Sequence, residues 1–350
     1  MFGPIAHILP VTVIRRERLL PISGKVLVRT QQKVVATNVI AETNLQSEYL
    51  LLDIARGLGM PTERADRFIQ CKVGDQLAEG DVVAGPVGLT RRLIRSPRNG
   101  KTILTGNGQV LLELSGLPFR IKAGISGTVT DLITDRGAVI ETTGALIQGV
   151  WGNGGIENGL MTILKQASSQ MLVMSDIDIS LRGSIVLATH CADPDVLKFA
   201  EELPLRGLIL ASMTPNLIPI AKKLHIPVLV LEGFGHFPMN SLVSKLLNTS
   251  DKREIAINAE PWNRYTGTRP EIVIPLSAPG NVTTPQEVGA FTLGRRVHVI
   301  RAPKAGEIGT IVNLKETAFF PGGLRATAAE VHLESGENHI FPIANLELLA

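Results

Sequence analysis

Between Arg182 and Gly235 three apolar blocks alternate with two stretches of helical character, and no other part of the chain restricts the fold as tightly. GSIVLATH, LRGLILAS and IPVLVLEGFG have the unbroken hydrophobicity of strands buried on both faces. Between them lie DPDVLKFAEEL and PNLIPIAKKL. Asp193 is placed to cap the first of these helices, with Pro194 in its opening turn. Alternation of this kind predicts parallel strands joined by crossover helices, with ligands met at the carboxyl ends of the strands.

The rest of the chain reads differently. From Cys71 to Leu164 short β-prone runs are punctuated by Gly74-Asp75, Gly80-Asp81, Asn99-Gly100 and Asn107-Gly108. Asn-Gly pairs reach positive φ at low cost and predict hairpins. Two of these units, around Gly100–Gly108 and Gly127–Gly137, resemble each other and predict two hairpins of one barrel or sandwich. Earlier, KVLVRT and KVVATNVI around Gln31-Gln32 predict another hairpin. Leu45, Leu51, Leu52, Ile54 and Ala55 suggest a helix that ends at Gly57 and Gly59, and Pro61 opens a second through Phe68. The glycine-rich GVWGNGGIENG lacks both the Gly-Lys-Ser/Thr of a phosphate loop and the spacing of a dinucleotide loop, so it reads as a turn around Trp151.

Composition bounds the function classes. A chain of 350 residues predicts two or three domains, and 44% apolar with 19% charged residues suits folded cores. Two cysteines, Cys71 and Cys191, supply neither a disulfide framework nor a cysteine zinc site, which points to a reducing, cytoplasmic setting. The first apolar run precedes its arginines, the reverse of a secretory signal, and no run is long enough for a membrane helix.

Three segments resemble known families. CKVGDQLAEGDVVAG followed by Ser96-Pro97-Arg98-Asn99-Gly100 resembles the barrel-sandwich fold of biotinyl and lipoyl carrier domains. The lysine between two methionines that carries their cofactor is absent, so the resemblance implies shape and no cofactor. Gly183 to Gly235, with IVLATHCADPDV and ASMTPNLIPIAKKLHIPVLV, resembles the swivelling phosphohistidine domain of phosphoenolpyruvate-utilising enzymes. The family's phosphorylated histidine falls on Asn216, whose carboxamide is not a nucleophile, so the resemblance implies a silent relative. LGRRVHVIRAPKAGEIGTIVNL resembles a KOW motif, a small hairpin of ribosomal and transcription elongation proteins. It implies contact with RNA or with a protein.

The expected fold is therefore multidomain α/β plus all-β. Residues 1–175 form a β-rich, barrel-sandwich-like region with a short helical insert, 176–278 an α/β swivelling-like domain, and 290–350 a small SH3-like KOW β-barrel. A breaker-rich linker is expected near 278–289.

The expected function is that of a non-catalytic binding or scaffold protein, with RNA and protein equally suitable partners for the last module. Arg295, Arg296, Arg301 and Lys304 would meet an anionic partner, with Arg91, Arg92 and Arg95 as a second patch; solvated surface charge is the competing reading. The alternative is an enzyme or enzyme subunit that binds a phosphorylated or anionic small molecule at the strand ends, in a pocket formed by His190, Ser212, Asn216, Gly233 and His236. No catalytic constellation, metal set or cofactor motif is recognised. Thr189, His190, Cys191 and Asp193 do not supply the three or four converging ligands of a metal site.

Overall fold

The computed structural model describes residues 1–44, 48–88, 91–114, 118–164, 171–263, 267–276 and 284–350. It is mostly β and separates into two compact units. The smaller contains residues 20–25 and 41–120; the larger contains 1–19, 26–40 and 121–350.

In the smaller unit, Glu48–Asp53, Gln109–Leu114, Gly100–Gly106 and Gln76–Leu77 form a four-stranded sheet in that order. The Asn107-Gly108 turn behaves as expected: both residues have positive φ and connect paired strands. The helix expected over residues 45–55 is not formed as such; Leu45 lies outside the described residues. Glu48–Asp53 is a strand whose alternate residues Tyr49 and Leu51 face outward. Its period is two, so Leu51 and Leu52 cannot share a helix face. Helix begins only at Ile54, where Asp53 accepts from the Arg56 N–H as N-cap. The core of this unit is built on Ile54, Val83, Val110 and Leu112.

An eleven-stranded sheet runs through the larger unit among the described residues. At one end Ser184–Cys191, Gly207–Met213 and Val228–Phe234 are parallel, as the block pattern predicts. Their crossovers hold the helices Pro194–Glu202 and Ile218–Ala221. Apolar residues from both strand faces and from the helices fill two core clusters, on Leu208, Leu210 and Val230 and on Ile209, Leu229 and Ile257.

The sheet continues past the boundary expected at residue 175. Ile156–Ile163 pairs in parallel with Ser184–Cys191, and its other edge pairs with Glu254–Asn258. The next strands are Glu271–Pro275 and Gly137–Gln148, the latter also pairing with the long strand Ile8–Leu19. The hairpins around Gly100–Gly108 and Gly127–Gly137, expected in one barrel, fall in different units. The runs flanking Gln31-Gln32 do not pair as a hairpin: Lys33–Val34 pairs with Gly127 and Thr128, whereas the Leu27 N–H bonds the Ile40 carbonyl.

The glycine-rich turn is a structural joint. Trp151 and Gly152 pair with Val230 and Leu229, and a Cβ on Gly152 would lie 2.1 Å from the Ala259 carbonyl oxygen. The Asn153 amide donates to the carbonyls of Ala221 and Ile226, and its oxygen accepts from Val228 N–H.

The C-terminal residues enter a seven-stranded sheet that also takes the start of the chain. Phe2–Ala6 lies between Val288–Ala290 and Leu346–Leu349. Part of the segment expected as a linker is thus a strand; residues 278–283 of it lie outside the described residues. Arg296–Val299, Ile308–Phe319, Arg325–Leu333 and Asn338–Pro342 complete the sheet. Gly309 permits a close approach, since a Cβ there would meet His332 O at 2.6 Å and Val331 at 2.5 Å.

Candidate functional site

The parallel strands bring most of the expected pocket residues together at their carboxyl ends. Across the sheet His190 stands beside Ser212, and Ser212 beside Gly233. His190 and Ser212 are buried. After Gly233 the chain turns over the strand ends through Gly235, both glycines at positive φ, and places the exposed His236 ring 4.8 Å from that of His190. Asn216, exposed on the turn Pro215–Leu217, takes part in none of the cluster's hydrogen bonds among the described residues.

The hydrogen bonds settle which atom carries each proton. Ser212 Oγ lies 2.9 Å from the Phe237 carbonyl, which can only accept, so the hydroxyl proton points there. The same oxygen accepts from Phe237 N–H at 3.2 Å. His190 Nδ1, 2.9 Å from Ser212 Oγ, must then be the donor of that pair. Nucleophilic catalysis would need the opposite direction, with serine giving its proton to imidazole. Ser212 is therefore a clip that holds the loop. Burial, and then the neighbouring His236, lower the His190 pKa, so this ring is neutral at pH 7 with its lone pair on Nε2. Thr214 Oγ1 lies 3.5 Å from that Nε2 and within 3.3 Å of the Cys191 carbonyl. Among the described residues no group of three or more His, Cys, Asp or Glu is arranged to hold a metal ion.

Cys191, at the end of the first strand, is fully buried, and burial pushes its thiol pKa up to about 12. The nucleophilic thiolate is scarce under those conditions. In native protein at pH 8, a disulfide reagent should leave Cys191 unlabelled until denaturant is added. Rapid native labelling would show instead that the strand ends open readily.

Two residues of the expected cationic patches, Arg296 and Lys304, are ion-paired. Arg296 pairs with Glu334 at 2.8 Å, and Lys304 with Glu337 at 3.1 Å and Glu307 at 3.2 Å. Arg295 and Arg301 have no ion pair among the described residues. In the smaller unit Arg91 and Arg92 are exposed, while Arg95 donates to the Gly80 carbonyl at 2.7 Å. A shallow cavity of about 520 Å³ in that unit is lined by Asp53, Arg56, Met60, Thr62, Asn107 and Gln109, none of them anticipated as site residues.

A further cluster carried little sequence signal. His298, on Arg296–Val299, is buried between two carboxylates. Its Nε2 is 3.2 Å from Glu232 Oε2, and its Nδ1 is 3.9 Å from Glu347 Oε2. The 3.2 Å approach is not aligned as a hydrogen bond, so the attraction there is one of charge. Glu347 also receives Arg269 Nη1 at 2.5 Å. Burial opposes a charge on His298, but the two glutamates outweigh it and raise its pKa to about 9. The only trace in the sequence was a Glu inside VLVLEGFG and a His inside RVHVI, polar residues within apolar strand runs.

No protein-family model matches the chain, and no curated protein matches it.

Proposed function

We propose that this chain is a non-catalytic binding protein that engages a protein partner through the tip of its C-terminal β module. One observation carries the reading. The strands Ile308–Phe319 and Arg325–Leu333 form a long hairpin whose tip exposes Phe319 by 79% and Leu324 by 55%. The Arg325 guanidinium lies 5.9 Å from the Phe319 ring centroid. An exposed aromatic with an aliphatic neighbour and an arginine is the chemistry of an interface anchor.

Protein is favoured over RNA because two of the first hairpin's four cations, Arg296 and Lys304, are matched by Glu334, Glu337 and Glu307. With those pairs made, Arg295 and Arg301 are the hairpin cations left without an ion pair among the described residues to release counterions from a phosphate backbone. The reading keeps the KOW-like character of residues 290–350, the swivelling-like character of 176–278 and the barrel-sandwich-like character of the region before them. It also keeps the cytoplasmic setting. Among the described residues no helix is long and apolar enough to cross a membrane.

The test uses the full chain and a paired substitution, Phe319→Ser with Leu324→Ser. Both side chains are exposed, so stability should change by no more than about 0.5 kcal/mol. Partners captured by the parent protein after nuclease treatment should be lost by the variant. Partners released by nuclease, or retained equally by the variant, would sink the reading. The alternative, an anionic small molecule at the strand ends, rests on the adjacency of His190 and His236. It would gain if phosphate raised the titration midpoint of His236 measured by NMR.

A further inference from the structure

The loop over the strand ends is held at two points, and one of them is reached from the C-terminal module. At one end Ser212 holds both the N–H and the carbonyl of Phe237. At the other, Glu232 Oε1 accepts from Asn240 N–H at 2.9 Å and Asn240 Nδ2 at 2.6 Å. Asn240 Oδ1 in turn caps the helix Ser241–Asn248 by accepting from Val243 N–H. The second Glu232 oxygen is buried and faces His298 of the C-terminal module.

The same seam is closed around this contact. Ser241 donates to Glu334, and Leu242 packs against Ala6, Ile308 and Leu349. From that geometry we infer that the C-terminal module latches the strand-end loop: His298 holds Glu232, Glu232 holds Asn240, and the pinned loop keeps His236 over His190. When His298 lets go, the Asn240 end loosens and the buried His190 becomes accessible. Whatever loads or displaces the module thereby sets the state of the strand ends.

The charges around the latch are accounted for on each side. Glu232 comes from Val228–Phe234 and Glu347 from Leu346–Leu349. Arg269 lies on the segment before Glu271, over the Trp262 ring at 5.1 Å. Lys304, Glu307 and Glu337 pair among themselves at the surface. Two carboxylates thus face one arginine and one imidazolium, and loss of the imidazolium proton leaves an uncompensated negative charge.

The direction with pH follows from linkage. The His298 pKa is raised from 6.5 to about 9 in the folded protein. Its stabilisation is fully present below 6.5 and is lost as pH rises through 9. If an opened latch restores an ordinary histidine, opening should increase about tenfold for each pH unit between 6.5 and 9.

Hydrogen exchange on the full chain, corrected for intrinsic rates, tests this at Phe237, Asn240 and Val243. Protection of these amides should fall with that slope in the parent protein. In His298→Gln it should be low at pH 7 and nearly independent of pH. Lys304→Ala, which breaks only surface pairs of the same module, should behave as the parent does. The inference fails if loop protection shows no pH dependence in the parent, whether or not the variant folds. It also fails if folded His298→Gln protects the loop as the parent does.

Discussion

Replacing Glu271 with alanine should destabilise the larger unit by about 3–5 kcal/mol, because it leaves a part-buried guanidinium without its counter-charge. Glu271 is 3% exposed, and both of its oxygens are taken by Arg16, Nε to Oε1 at 2.9 Å and Nη2 to Oε2 at 2.6 Å. The two residues sit on Ile8–Leu19 and Glu271–Pro275, strands that both pair with Gly137–Gln148. No water can reach Glu271 freely, so a fork-to-carboxylate contact of this kind is poorly replaced by solvent. A second arm separates the pair's worth from the cost of breaking it. Arg16→Met combined with Glu271→Leu removes both charges and should recover most of the loss. Trp151 and Trp262 are the chain's two tryptophans and both belong to the larger unit, so their fluorescence during urea unfolding reads that unit. If Glu271→Ala unfolds within 1 kcal/mol of the parent, the ion pair is not integral to the sheet.

What the sequence conveyed divides along physical lines. The parallel strands were legible because each is apolar throughout and is followed nearby by its own helix, so pattern and partner lie close together. The gathering of His190, Ser212, Gly233 and His236 followed from that topology alone. The direction of the Ser212 proton did not, because it depends on the Phe237 carbonyl, which only the folded loop brings to 2.9 Å. The helix read through Leu51 and Leu52 failed because two adjacent leucines fit either period, and an outward-facing Leu51 breaks the assumption that apolar means buried. The least legible feature was the C-terminal sheet's use of Phe2–Ala6. Strand pairing between the two ends of a chain leaves no local trace, and a breaker-rich stretch before residue 290 looks the same whether or not a strand from elsewhere has joined the module.

That pairing ties the residues before the 278–289 segment to those after it. A chain ended at Gln286 should be markedly less stable than the parent in its remaining larger unit, by roughly 3–5 kcal/mol from buried apolar surface. Ile5, 4% exposed, belongs to the core cluster of Val297, Val299, Leu346 and Leu348, and Ala6 to that of Ile308 and Leu349. Truncation takes this apolar surface away from both, and from Leu242 the Ile308 and Leu349 side of its cluster. It also strips Phe2–Ala6 of both neighbouring strands, Val288–Ala290 and Leu346–Leu349, so this strand should lose its amide protection altogether. Glu232 loses His298, but the opened seam lets water reach its carboxylate, so the penalty there stays below that of a sealed unpaired charge. The loss should therefore track apolar area more than charge and should change little with salt. Tryptophan-monitored urea unfolding of the truncated chain should show the lower midpoint, and supplying residues 287–350 in trans should restore part of it. An unchanged midpoint, with Phe2–Ala6 still protected from exchange, would show the C-terminal module to be a separable domain.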